Sequence, residues 1–269
     1  MILYRSALLL TAVLGVLLTG CSEREEAGTA VASDGNAGVY TGATNAELPA
    51  AGELLYQASL ASEADTAHWI MEGEAVVEHR DGWMEMRSPN RDAHHVFWCP
   101  EDFPESFIAS WEVQNLNPDA GLLIVFLAAK GDQGEDIFDP FLPARDGTFD
   151  QYTEGRIKSY HLSYYANVAH EPGRSHVNLR KNNTFSLLQS GGEGIAASSE
   201  AVHNIQLVKE RDHIRLWIDG RKVIDYRDDQ PLVAGVDTGP ALGAGKIGFR
   251  QMQWSHFRYR NFQVHALAD

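Results

Sequence analysis

Two short stretches of this chain place histidine, tyrosine, arginine and amide side chains at a spacing of two. In Tyr160-His-Leu-Ser-Tyr-Tyr-Ala-Asn an extended backbone puts His161, Ser163, Tyr165 and Asn167 on one side and Tyr160, Leu162, Tyr164 and Ala166 on the other. In His176-Val-Asn-Leu-Arg-Lys-Asn the row His176, Asn178, Arg180 and Asn182 alternates with Val177 and Leu179. If the two strands are neighbours across the turn at Pro172-Gly173, they floor one groove. That set of groups fits β-elimination of a uronate, which needs its carboxylate neutralised, a base for the C5 proton and an acid for the leaving oxygen. His161 and Tyr165 are the candidate catalytic pair, with base and acid not distinguished by spacing. Arg180, Asn178 and Asn167 are the candidate carboxylate binders, and Arg156, Lys181 and His95 are further candidate substrate contacts. The plain structural alternative is a polar outer sheet face, where tyrosine and arginine are common cross-strand partners.

A second cluster, Gly134-Glu-Asp-Ile-Phe-Asp-Pro, offers carboxylates for glycoside hydrolysis. Glu135 and Asp139 on a strand would stand about 13 Å apart, beyond the roughly 5–9.5 Å that acid and nucleophile or base require. With Asp132, the residues Glu135, Asp136 and Asp139 also form a candidate calcium set, a solvated turn being the alternative. The histidines show no HExxH or cysteine-rich zinc spacing, and adjacent His94 and His95 would point to opposite faces of a strand. The expected reaction requires no cofactor, with calcium as a possible structural ion. Trp98 and Trp254 are candidate stacking platforms for a sugar ring.

The elements that must position these residues read as strands almost throughout. Residues 205–218 form two alternating runs across a polar turn at 210–212, and Asp219-Gly220 is a type I′ hairpin signal between Ile214-Arg-Leu-Trp-Ile and Lys222-Val-Ile-Asp-Tyr. The apolar run Leu122-Leu-Ile-Val-Phe-Leu-Ala-Ala reads as a strand covered on both faces, given its β-branched content and flanking glycines. No helical periodicity of useful length occurs. The expected fold is an all-β antiparallel sandwich.

Arg5, an apolar run from Ala7 to Leu18 and the box Leu18-Thr19-Gly20-Cys21 have the form of a bacterial lipoprotein leader. The expected organisation is a signal peptide over 1–20, a flexible tether over 21–51 and one domain over 52–269. Cys21 is the expected lipidation site, and Ser22 beside it favours the outer membrane, so the domain is expected outside the cytoplasm, held to a membrane by acyl chains. With Cys21 acylated, Cys99 is the one remaining thiol and reads as a small buried hydrophobe. A net charge of −15 excludes long-range attraction to nucleic acid, and a polyanionic substrate would need a local basic cleft.

The hairpin His213-Ile-Arg-Leu-Trp-Ile-Asp-Gly-Arg-Lys-Val-Ile-Asp-Tyr, with Gly245-Lys-Ile-Gly-Phe-Arg-Gln-Met and Tyr259-Arg-Asn-Phe-Gln-Val, resembles the closing half of concanavalin A-like (laminin G-like) jelly rolls. Gly134-Glu-Asp-Ile-Phe-Asp-Pro, Tyr160-His-Leu-Ser-Tyr-Tyr-Ala-Asn and Asn178-Leu-Arg-Lys-Asn resemble the YesU-like family, a domain of unknown function, over most of 65–265. The resemblance implies a jelly-roll β-sandwich and a carbohydrate ligand drawn from acidic polysaccharides. Sequence reasoning therefore favours a lipid-anchored polysaccharide or oligosaccharide lyase. A glycoside hydrolase of the same fold and a non-catalytic glycan-binding lipoprotein stay open beside it.

Overall fold

The computed structural model describes residues 38–39, 48–171 and 174–268; Cys21 and the signal segment lie outside them. Alternating apolar and polar residues pair as strands over most of the described chain. The first nine are β1 (Gly38–Val39), β2 (Ala51–Ala58), β3 (Ile70–Gly73), β4 (Val76–Arg80), β5 (Trp83–Arg87), β6 (His95–Trp98), β7 (Ser106–Asn115), β8 (Gly121–Gly131) and β9 (Ile157–Asn167). There follow β10 (His176–Asn182), β11 (Ser186–Glu193), β12 (Val202–Glu210), β13 (His213–Ile218), β14 (Arg221–Arg227), β15 (Leu232–Val233), β16 (Val236–Asp237), β17 (Lys246–Met252) and β18 (His256–Leu267). One turn of α-helix, α1 (Asp150–Thr153), and a 3-10 turn at Glu63–Thr66 interrupt them.

A front sheet runs β1-β11-β10-β9-β8-β17-β6-β3 and a back sheet runs β14-β13-β12-β7-β18-β5-β4, with β2 added to β18. The pairings are antiparallel except for β1, which joins β11 in parallel from within the stretch expected to be a flexible tether. The expected β13–β14 hairpin is present, with φ of 51° at Asp219 and 75° at Gly220, both left-handed as a type I′ turn requires. The unalternating run 122–129 forms the middle of β8 because both faces of the front sheet are covered there.

One face of the front sheet meets the back sheet across an aromatic core. The Phe249 ring lies 5.1–5.9 Å from those of Trp69, Trp111, Tyr259 and Phe262. The other face is covered at one end by residues 132–156, whose Ile137, Leu142 and Tyr152 pack on Val96, Trp98, Ile124 and Phe126. A buried carboxylate pins this segment. Glu72 accepts hydrogen bonds from Trp98 Nε1 (2.8 Å), Tyr152 OH (3.0 Å), Arg145 Nε (3.1 Å) and Arg145 Nη2 (2.6 Å). Close approach also needs Gly147, whose φ is +95° and whose missing Cβ would stand 2.0 Å from the carbonyl oxygen of His94.

A β-bulge in β9 determines which residues reach the outer face. Opposite β8, Leu123 pairs with Tyr165 but Ile124 pairs with Ser163, so Tyr164 is the extra residue. Strict alternation holds for Ser159, His161 and Ser163, then reverses. Tyr164 and Tyr165 therefore both turn into the core between the sheets.

Candidate functional site

The two strands expected to be neighbours are neighbours. In the β9–β10 register Asn178 lies opposite Ser163, Arg180 opposite His161 and Asn182 opposite Ser159. His161, only 2 % exposed, is framed by the rings of Phe126, Phe149 and Phe185, 5.7–6.4 Å away by centroid. The Asn182 amide nitrogen lies 3.0 Å from Ser159 Oγ and 3.2 Å from His161 Nδ1. With that amide donating to Nδ1, the neutral ring carries its proton on Nε2 and offers it as a donor. Burial, then the charges of Arg180, Arg250 and Arg174, hold the imidazole well below its ordinary pKa, so it is neutral at physiological pH.

Those three arginines define the electrostatics. Arg180 donates to the Phe185 carbonyl (2.9 Å) and lies over the Phe185 ring at 4.1 Å. Arg174 donates Nη2 to Ser163 Oγ (3.1 Å), and its Nε is 3.4 Å from the half-exposed Glu171 carboxylate without forming a hydrogen bond. Arg250, on β17, is wholly buried. Its Nη2 donates to Gly147 O (2.7 Å), its guanidinium faces the rings of Tyr152 (4.7 Å) and Phe149 (5.2 Å), and Nε and Nη1 have no protein hydrogen-bond partner. Desolvation lowers Arg250 to a pKa of about 10, which leaves it charged at neutral pH. Asn178 Oδ1 is likewise buried without a hydrogen-bond partner. Burial together with the Arg250 charge brings His94 down to about 4. Arg174–Glu171 is the one carboxylate ion pair formed by these three arginines among the described residues.

The remaining expected site residues lie elsewhere. Tyr165 is in the core, its hydroxyl accepting from Asn115 Nδ2 (3.0 Å) and its ring edge-on to Phe257, so it cannot pair with His161 on the outer face. Asn167 follows it through the same bulge and donates to Pro118 O at 2.7 Å. Lys181 also points inward, where its ammonium is 2.7 Å from the buried Asp228 carboxylate and donates to the carbonyls of Gly239 and Pro240. His95 shares the inner face with Phe97, its Nδ1 3.1 Å from Glu74 O, and burial takes its pKa down to about 3. Arg156 stands at the far end of β9, clasping Asp132 through Nε and Nη2.

The candidate calcium set is consumed locally. Glu135 accepts from Gln133 N, Asp136 from Phe138 N and Asp139 from Phe141 N, while Asp136 also pairs with Lys246 at 3.0 Å. Among the described residues no three histidine, cysteine or acidic side chains converge on a point where a metal ion would sit.

Sequence reasoning missed Arg250 and Arg174. Arg250 was within reach, because in Lys246-Ile-Gly-Phe-Arg-Gln-Met it alternates with Ile247 and Phe249, a charge on the opposite face of a strand that is buried throughout. Arg174 lies outside any strand pattern, two residues before β10.

The family described as a domain of unknown function, DUF1961, matches residues 53–264. The chain is 36% identical over 217 residues to the uncharacterized protein YesU of Bacillus subtilis (strain 168), covering 80% of this chain and 96% of that protein. It superposes with a TM-score of 0.76 on a Bacillus subtilis protein of unknown function with a galectin-like fold, at 35% identity, covering 82% of this chain and all of that one. A more distant likeness, of fold alone, is to the exoplasmic/lumenal domain of VIP36 in its Ca2+/Man3GlcNAc-bound form, with a TM-score of 0.55, 10% identity, and coverage of 81% and 92%. On the extent of the domain match and the identity to YesU, this jelly-roll chain belongs to the DUF1961 family.

Proposed function

We propose that this protein binds an acidic saccharide on the outer face of the front sheet, seating a uronate carboxylate among Arg174, Arg180 and Arg250. One observation carries the reading: three largely desolvated arginines surround one neutral histidine, on a chain whose net charge is −15, and Arg250 keeps two buried donors without a protein acceptor. A buried guanidinium without a carboxylate is costly, and an anionic ligand relieves that cost by filling its open donors. Ser163, Asn178 and the Nε2 proton of His161 suit sugar hydroxyls, and the Phe185 ring suits an apolar sugar face. The fold is also that of a domain bound to Man3GlcNAc, which adds an analogy for the ligand class. The Cys21 leader adds the location: the domain is displayed outside the cytoplasm, lipid-anchored at the outer membrane.

β-Elimination is the second reading, favoured by the neutral imidazole beside guanidinium groups that would neutralise a C6 carboxylate. With the Asn182 amide turned so that its oxygen accepts from Nδ1–H, His161 Nε2 takes the C5 proton. The C5 electron pair forms the C4–C5 double bond, the C4–O bond breaks and the leaving oxygen acquires a proton. Tyr165 cannot supply that proton from the core, so solvent must.

Both readings are tested by titrating the full-length protein with polygalacturonate, alginate, glucuronan and neutral xylan, while following absorbance near about 235 nm and reducing ends. Binding of an acidic glycan but not xylan, lost in Arg250→Met, is the expected result. Both chemical signals rising, and vanishing in His161→Ala, would add elimination. Reducing ends alone would indicate hydrolysis, and neither signal would leave a binding protein. Failure to bind any of the acidic polymers would overturn the proposal.

A further inference from the structure

At the end of the sandwich, the connection from β17 to β18 holds Trp254 out with 47 % of its surface exposed, whereas Trp69, Trp83, Trp98, Trp111 and Trp217 are all buried. Gln253 and Trp254 have φ of 60° and 67°, and Asn117 Nδ2 donates to Trp254 O at 2.9 Å. The backbone that carries the exposed indole is thus anchored. Beside it lies a cavity of about 310 Å³ lined by Arg87, Ser88, Asn117, Trp254 and His256. Ser88 is 8 % exposed, and its Oγ is buried with no hydrogen-bond partner, while His256 Nε2 lies 3.5 Å from the Glu85 carboxylate. An aromatic face, an unfilled hydroxyl, an imidazole, an amide and a guanidinium around one hollow are groups that bind a neutral pyranose. Its apolar face stacks on the ring and its hydroxyls satisfy the polar rim.

The position matters as much as the composition. Arg250 and Trp254 are four residues apart, at most about 13 Å along an extended chain. β17 thus links an anion-binding point in the middle of the outer face to an aromatic platform at the sandwich end. We infer that the site extends to a second saccharide subsite at Trp254, so that the ligand is an oligosaccharide whose acidic unit meets the arginines while another unit stacks on this indole. This rests on the acidic-saccharide reading for the ligand, but the two are separable by experiment. Arg91 stands over the Trp254 ring, its guanidinium 5.8 Å from the centroid.

The test uses trigalacturonic acid and neutral xylotriose with the full-length protein, its Arg250→Met variant and its Trp254→Ala variant. The Trp254 indole N–H resonance is assigned by its loss in the Trp254 variant. Trigalacturonic acid is expected to shift that resonance and to bind about tenfold more weakly to Trp254→Ala. Equal affinity for wild type and Trp254→Ala overturns the subsite while leaving the acidic reading standing. A shift with xylotriose, and unchanged trigalacturonate affinity in Arg250→Met, overturns the acidic reading and keeps the subsite. If neither sugar moves the resonance, the subsite is overturned.

Discussion

The guanidinium of Arg250 lies 4.7 Å from the ring centroid of Tyr152, whose hydroxyl donates to Glu72, so a cation fully removed from water faces an aromatic ring instead of a carboxylate. Cation–π attraction offsets part of the desolvation, and a single hydrogen bond to Gly147 offsets a little more. The placement is poor for stability and good for capturing an anion.

Replacing Arg250 by methionine should therefore separate the two properties. We expect affinity for an acidic glycan to fall at least about 100-fold, while folding stability is unchanged or rises by about 1 kcal/mol, since apolar replacement of a poorly compensated buried charge is often stabilising. Urea unfolding alongside calorimetric titration measures both. A stability loss above about 3 kcal/mol would show that Arg250 is structural.

Acid should weaken the fold before the carboxylates titrate. His94, His95 and His161 have folded pKa values below that of an unfolded histidine, about 6.5, with His94 near 4 and His95 near 3. Below pH 6.5 the unfolded chain binds protons that the folded chain refuses, so the histidine contribution is complete above that pH and is lost as pH falls toward 4 and 3. Unfolding midpoints in urea at pH 7.5, 6.5, 5.5 and 4.5 should fall slightly between the first two and more steeply thereafter. His95→Gln should shallow that decline.

Tyr165→Phe should leave ligand affinity, and any turnover, as in the wild type. Its hydroxyl accepts from Asn115 inside the core, so its removal should cost about 1 kcal/mol of stability. A loss of binding at unchanged stability would contradict the placement of this side chain.

Lys181 and Asp228, at 1 % and 0 % side-chain exposure, form a buried pair to which the Tyr160 hydroxyl also donates. Lys181→Met should cost about 3–5 kcal/mol because Asp228 is left charged and unpaired. Adding Asp228→Leu should recover part of that loss, a non-additivity visible in a double-mutant cycle.

Gly147→Ala should lift residues 132–156 from the outer face, since the new Cβ would collide with the His94 carbonyl and the residue would be held at a φ of +95°. We expect faster limited proteolysis within 132–156 and weaker acidic-glycan binding, because Arg250 donates to the Gly147 carbonyl.

Period-two patterning was enough to identify β9, β10 and β12 to β14, the Asp219-Gly220 hairpin and the all-β class, because side-chain alternation and turn chemistry are local properties of the chain. With β9 and β10 paired, as the structure shows, the same alternation places His161, Asn178 and Arg180 on one face. The errors have equally definite causes. A single extra residue at Tyr164 reverses alternation and carries Tyr165 and Asn167 inward, and no residue type in that stretch announces the bulge. Lys181 sits at the right parity for the core, but its charge argued for the surface; only Asp228, 47 positions away and brought close by the fold, makes its burial tolerable. Arg250 and Arg174 reach His161 from positions 89 and 13 residues removed along the chain, so their convergence depends on β17 and β9 both bordering β8 and on the approach to β10. Local sequence thus determined which face each regular strand residue occupies. Which charges share one desolvated neighbourhood was decided only by long-range strand order and one bulge, because electrostatic proximity depends on distance in space and not on spacing in the chain.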